Sequence, residues 1–189
     1  MDSKDELSPA TIALHWLIAA AILSLIALGI YMVQTESWHL YDLHKSIGLI
    51  AFAAIVARVA WRLKNRLPQP VRTPSRFEHL AASAAHWTLL ACTVALPLTG
   101  MLYSGASGHG FGIFGWRLFP ENTQIGKDGD ALPFHAGLSD LGQRLHGILG
   151  YFLLALIVLH VAAALKHHVI DRDATLTRML GKRVDAETD

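Results

Sequence analysis

The stretch Leu138–His168 reads LSDLGQRLHGILGYFLLALIVLHVAAALKHH. From Leu145 to Leu165 it holds no Asp, Glu, Lys or Arg, yet it carries His146 and His160. About 20 apolar residues are enough for a helix to cross a bilayer. Fourteen residues separate the two histidines, so at ~1.5 Å rise they lie ~21 Å apart along the axis. Fourteen steps of about 100° leave them about 40° out of phase. One face of one helix therefore presents an imidazole at two depths. An ionisable group inside a span is costly and is a functional candidate by default.

Three further apolar stretches surround this one. The spans are predicted at about 9–33, 43–63, 80–103 and 138–168. Ser8 can cap the first, with Pro9 at the first helical position, where its missing N–H costs nothing. Pro97, in the third, frees the carbonyl of Thr93 and predicts a kink. The residues before the first span include Asp2, Asp5 and Glu6 against Lys4, a poor basic region for a cleaved leader, so that span is read as retained. The fold class expected is an all-α membrane protein, a four-transmembrane-helix bundle forming a single domain over 1–189.

Composition agrees. The chain is 52% apolar and only 16% charged, with a mean hydropathy of +0.36. A soluble domain of this size carries more charge. The net charge of +1 argues against a nucleic-acid partner. One cysteine, Cys92, forms no internal disulfide or thiolate cluster.

Lys and Arg set the orientation. Arg58, Arg62, Lys64, Arg66, Arg72 and Arg76 cluster around the second connection, and Arg172, Arg178, Lys182 and Arg183 follow the last span. The connection from Gln34 to Asp42 has none. Both termini are predicted on the cytoplasmic side of a bacterial inner membrane. The third connection, about 104–137, is too long to be a plain structureless loop without a function or disorder. Its Phe111, Ile113, Phe114 and Trp116 suit the interface or the outer mouth of the bundle.

Depth then sorts the histidines. His15, early in span one, lies near the inner side with His160. His44, early in span two, lies near the outer side with His146. Two bis-histidine sites follow, one near each membrane face. Four residues beyond these histidines stand Ala19, Gly48, Gly150 and Ala164, small enough to let a flat group lie along the helix. Bis-histidine ligation without a Cys-x-x-Cys-His sequence points to two non-covalent haem b groups. Zinc is the weaker choice because no acidic or cysteine ligand stands beside these histidines. His39, His79, His109, His135 and His168 are read as interfacial or satisfied polar residues. His86 is read likewise, with a haem-propionate or quinone contact as its rival role.

Several of these stretches also resemble a known family. They are Ala13-Leu14-His15-Trp16, Leu43-His44-Lys45-Ser46-Ile47-Gly48, Arg58 with Arg62, and Ala85-His86-Trp87. The others are Leu96-Pro97-Leu98-Thr99-Gly100, Arg144-Leu145-His146-Gly147, Leu159–His168 and Asp171-Arg172-Asp173. Over about residues 8–180 the chain resembles the bacterial cytochrome b561 family. That resemblance implies pairing of His15 with His160 and of His44 with His146. It implies electron transfer between the periplasmic side and membrane quinone. Small stand-alone members are similar to superoxide:ubiquinone oxidoreductase, which makes superoxide the expected donor and ubiquinone the acceptor.

Some residues suit that activity. Lys45 and Arg144 flank the outer ligands and can steer an anion or pair with haem propionates. Yet the outer face sets Lys45, Arg117, Lys127 and Arg144 against Glu36, Asp42, Glu121, Asp128, Asp130 and Asp140, so any attraction is local. Moving an electron inward against a membrane potential costs ~2.3 kcal/mol per 100 mV, which the donor must exceed. His167 returns to the face of His160 two turns deeper and is the first candidate for a quinone contact, ahead of Lys166; headgroup anchoring is the alternative. A non-enzymatic relay to a periplasmic or partner redox protein is the main rival function. A four-helix transport or scaffold protein with interfacial histidines is a third.

Overall fold

The computed structural model describes residues 2, 6–65, 75–127 and 129–183. Arg66 and Arg72, which entered the orientation, and Lys4, Asp5 and Asp128 lie outside the described residues. The main helices are α1 (Pro9–Thr35), α2 (Tyr41–Asn65), α3 (Arg76–Ala106) and α4 (Ala136–Val169). A 3-10 turn, Trp38–Leu40, joins α1 to α2, and a short α5 (Thr175–Met179) follows α4. Four helices, those over 9–35, 38–65, 76–106 and 136–169, are long and apolar enough to cross a membrane. In hydrocarbon a helix satisfies its own backbone, and that constraint makes long apolar runs helical.

Each helix overruns its predicted span by a few residues at one or both ends. Ser8 caps α1 by accepting from Thr11 N at 3.4 Å. The same helix stops at Glu36, whose φ of 53° is left-handed and whose N–H reaches Met32 O. No glycine marks that stop. At α3 a capping box joins Ser75 and Glu78. This Ser-x-x-Glu spacing is a start signal in the sequence itself, four residues before the predicted boundary. His135 caps α4 by accepting from Leu138 N at 3.2 Å.

The long third connection is not structureless. It holds an antiparallel hairpin, β1 (Phe111–Ile113) and β2 (Trp116–Phe119), pairing Ile113 with Trp116. Phe114 and Gly115 form its turn with φ of 45° and 88°. Two successive positive φ angles usually call for Asn-Gly or Gly-Gly, so the hairpin is hard to see in Phe-Gly. Ser46 of α2 pins it, accepting from Phe114 N at 2.9 Å. Phe111 and Phe119 stack at 5.4 Å, while Phe114 and Trp116 stay exposed. The hairpin lies over the N-terminal start of α2.

Packing divides the bundle into two pairs. Helix α1 lies along α2 and α3 along α4, whereas α1 barely touches α4. The α3–α4 approach is close: a Cβ on Gly142 would fall 2.6 Å from Tyr103 N. Small residues allow such contact between membrane helices. The buried core joins Ile18, Ile22, Ile55, Cys92, Leu96 and Leu153 at mid-depth. Outward-facing Leu17, Val33, Leu63, Ile148, Leu159 and Val169 remain exposed. On a membrane protein such surfaces face lipid.

Candidate functional site

Four histidines meet across the seam between the helix pairs. His15 of α1 faces His160 of α4 with ring centres 6.4 Å apart. His44 of α2 faces His146 of α4 at 6.2 Å. With a metal–imidazole bond of about 2 Å and the ring centre roughly 1.1 Å behind the nitrogen, two rings on opposite sides of one iron stand about 6.2 Å apart. Both pairs have that separation. Fully buried Leu153 lies midway between His146 and His160 on α4. The apolar core therefore stands between two histidine layers.

The outer pair is held by α3. His146 Nδ1 lies 2.9 Å from Leu96 O and 3.3 Å from Thr99 Oγ1. A carbonyl only accepts, so this bond places a proton on Nδ1 and leaves Nε2 bare. Ligating imidazoles are oriented in this way by their outer-shell partners. Gly100 makes room: a Cβ there would meet His146 Cε1 at 3.0 Å. Opposite, Gly29 approaches the His44 ring. His44 Nδ1 is buried without a hydrogen-bond partner among the described residues. An unpaired buried nitrogen costs about 1–3 kcal/mol, which makes it a place for a missing partner. Cβ atoms on Gly48 and Gly150, one turn beyond His44 and His146, would meet nothing within 4 Å. The separations, the fixed tautomer, the orphaned nitrogen and the open space all fit a flat bis-histidine group.

Sequence reading gives no role to Leu96, Thr99, Gly100 or Gly29. The first three stand in the Leu96–Gly100 stretch quoted for the family resemblance, where Pro97 predicts a kink.

The inner pair has a different neighbour. Arg58 of α2 places Nη2 3.3 Å from His15 Nδ1. His86 of α3 lies 5.6 Å from the His160 ring, short of the coordination separation. Below this layer Arg62 meets Asp2 at 3.0 Å with both side chains nearly inaccessible. Trp61 Nε1 donates to Thr11 Oγ1 at 2.9 Å. Burial alone would raise the Asp2 carboxyl, but hydrogen bonds from Ser8, Thr11 and Arg62 outweigh it and hold it below its ordinary value. Among the described residues no three His, Cys, Asp or Glu side chains converge as a zinc site requires.

The other candidates separate. Lys45 is 2.9 Å from Asp42 and donates to Gly110 O at 3.3 Å, so its charge is largely offset. Arg144 is exposed two residues before His146. At the C-terminal end of α4, His167 Nδ1 faces Asp171 at 2.9 Å and Asp173 at 3.3 Å. Lys166 bonds Asp171 at 2.7 Å, and this bond first of all holds the Asp171 carboxyl low. Among the remaining histidines, His39 lies in the 3-10 turn and His79 and His168 are exposed. His109 bridges Ser107 and Asp130, each at 2.9 Å.

Four membrane helices with histidines facing across a seam at two depths define a membrane cytochrome b class of protein. The profile of the prokaryotic cytochrome b561 family matches residues 6–182. The chain belongs to that family, which carries electrons in the membrane and binds haem b. It is 37% identical over 175 residues to cytochrome b561 homolog 2 of Escherichia coli (strain K12), covering 90% of this chain and 88% of that protein. Cytochrome b561 homolog 1 of the same strain is 26% identical over 191 residues, covering 95% and 99%. A Yersinia pestis protein named probable superoxide oxidase CybB is 27% identical over 175 residues, covering 91% and 94%. The chain is a multi-pass bacterial membrane protein.

Proposed function

We propose that the protein, as one domain over 1–189, passes electrons from superoxide at the periplasmic face to ubiquinone in the inner membrane. The supporting observation is the matched 6.4 and 6.2 Å ring separation at two depths of one bundle. On this reading His44 with His146 hold an outer haem b and His15 with His160 an inner one. Bound there, the two groups would supply reversible one-electron transfer across the membrane.

The chain's own residues do the rest. The Leu96 carbonyl keeps His146 in the tautomer that leaves Nε2 free. Arg144 offers an exposed positive charge beside the outer pair, local attraction for an anion on an otherwise acidic face. His167, held at Nδ1 by Asp171 and Asp173, is oriented to pass a proton to a quinone oxygen at the inner side. Both termini lie on the cytoplasmic side with Arg62, Lys64, Arg172, Arg178, Lys182 and Arg183. The superoxide oxidase name of the Yersinia pestis relative supports the donor.

A relay serving a periplasmic redox protein is favoured by one observation, the pairing of Lys45 with Asp42, which takes a cation away from a small-anion site. Superoxide generated beside the purified protein and ubiquinone separates the two. Under the proposal b-type absorption is reduced and ubiquinol accumulates. A protein left oxidised by superoxide but reduced by a partner dehydrogenase is a relay.

A further inference from the structure

Arg58 and Arg62 stand one turn apart at the inner end of α2, and the structure gives them different surroundings. Arg62 closes on Asp2 at 3.0 Å, where Ser8 and Thr11 also donate to the same carboxylate. Arg58 lies one turn deeper and reaches His15 instead, with Nη2 3.3 Å from Nδ1. No described carboxylate makes an ion pair with it among those resolved at the inner layer.

That contact conflicts with ligation. A guanidinium has five donors and no acceptor. A neutral imidazole that coordinates through Nε2 carries its proton on Nδ1 and donates from there. Two donors would then face each other. At the outer layer the corresponding neighbour of His146 Nδ1 is the Leu96 carbonyl, an acceptor. Once His15 coordinates, Arg58 needs an anionic acceptor, and Arg62 already holds Asp2. His86, the third imidazole of the inner layer, is a nitrogen base and supplies no carboxylate. A haem carries two carboxylates of its own, and a guanidinium suits a carboxylate in two-pronged geometry.

We propose that Arg58 is a positioning residue that takes a carboxylate of the inner haem and, by its fixed charge, raises that group's reduction potential above the outer one. The proposal rests on the two-haem reading above. Reduction lowers the positive charge on iron, so a nearby cation in a low-dielectric layer favours the reduced form. The outer layer's cations are offset or solvated: Asp42 pairs with Lys45 at 2.9 Å, and Arg144 is exposed. Electrons delivered outside would settle inside.

Spectroelectrochemical titration of the purified protein tests this. Wild type, Arg58→Lys, Arg58→Gln and Arg58→Leu are compared, each also with His44→Ala so that the inner step is read alone. Arg58→Gln and Arg58→Leu should shift the inner midpoint down by the equivalent of a tenfold change in electron partition, about 59 mV for one electron. Arg58→Lys should restore most of it, and the outer midpoint should stay. Should Arg58→Leu lose the inner haem, Arg58→Gln carries the measurement. Inner midpoints unchanged in Arg58→Gln and Arg58→Leu overturn the role of Arg58 while leaving two haems in place. Wild-type protein without b-type bands overturns the two-haem reading itself.

Discussion

Replacing Gly100 with alanine adds a single carbon beside His146. That carbon would stand 3.0 Å from Cε1, 3.2 Å from Nδ1 and 3.8 Å from Nε2. Carbon contacts relax at about 3.5–4.0 Å, so the ring must retreat by roughly 0.5 Å. It is tethered on the same helix by the 2.9 Å bond to Leu96 O, and a retreat of that size takes the bond toward the limit near 3.2 Å for N–H···O. Weakening it costs about 0.5–1.5 kcal/mol. Disturbing the partner that orients a ligating histidine lowers metal affinity about 10–100-fold. Gly100→Ala should therefore hold the outer haem at least about tenfold more weakly than wild type. Haem-to-protein ratio and reduced absorption after serial detergent dilution read this directly, and one of two b-type components should fade first. Gly147→Ala is the control, since a Cβ there meets nothing within 4 Å. Full retention of both components in Gly100→Ala would refute the claim that α3 positions His146.

Three further outcomes are expected. His15→Ala or His160→Ala should lose one haem and His44→Ala or His146→Ala the other, while His86→Ala keeps both; pyridine haemochrome counts decide, and a haem lost from His86→Ala would overturn the pairing. Leu153→Ala opens a cavity at a site with 0% exposure and should destabilise by about 2–5 kcal/mol in detergent unfolding, with both haems still bound. Asp2→Asn removes the carboxylate that closes on buried Arg62 at 3.0 Å and should cost about 3 kcal/mol of the same stability. Because the folded Asp2 carboxyl lies below its ordinary value of 3.8, its contribution is present above that pH and fades as pH falls through the folded value. An unfolding midpoint that is flat between neutral and strongly acid pH, and equal in Asp2→Asn, would contradict the network.

Much of this protein is legible in its residues because the bilayer leaves few choices. Long apolar runs must be helices, so the four spans can be read directly, and an imidazole at two depths can be read from a spacing of fourteen. Helix ends were less legible where the signal is unusual. Glu36 ends α1 in a left-handed conformation without glycine, and His135 caps α4 in place of Ser or Asp. The Ser75–Glu78 capping box was legible and marks the α3 start. The hairpin was not, because Phe114-Gly115 is a poor signal for a turn whose strands are pinned by Ser46, distant in sequence.

The sequence by itself determined the class of protein: apolar length, Lys and Arg placement and histidine phase are local or periodic properties of one chain. Tertiary structure decided what surrounds each histidine. That Leu96 O meets His146, that Gly29 and Gly100 leave room for rings, and that Arg58 reaches His15 while Arg62 reaches Asp2 are contacts between helices. No periodicity within one helix encodes which neighbour lies across a seam, because that depends on how two helix pairs pack. The two histidine layers with which the reading began therefore differ: a carbonyl orients the outer one, and a guanidinium stands beside the inner one.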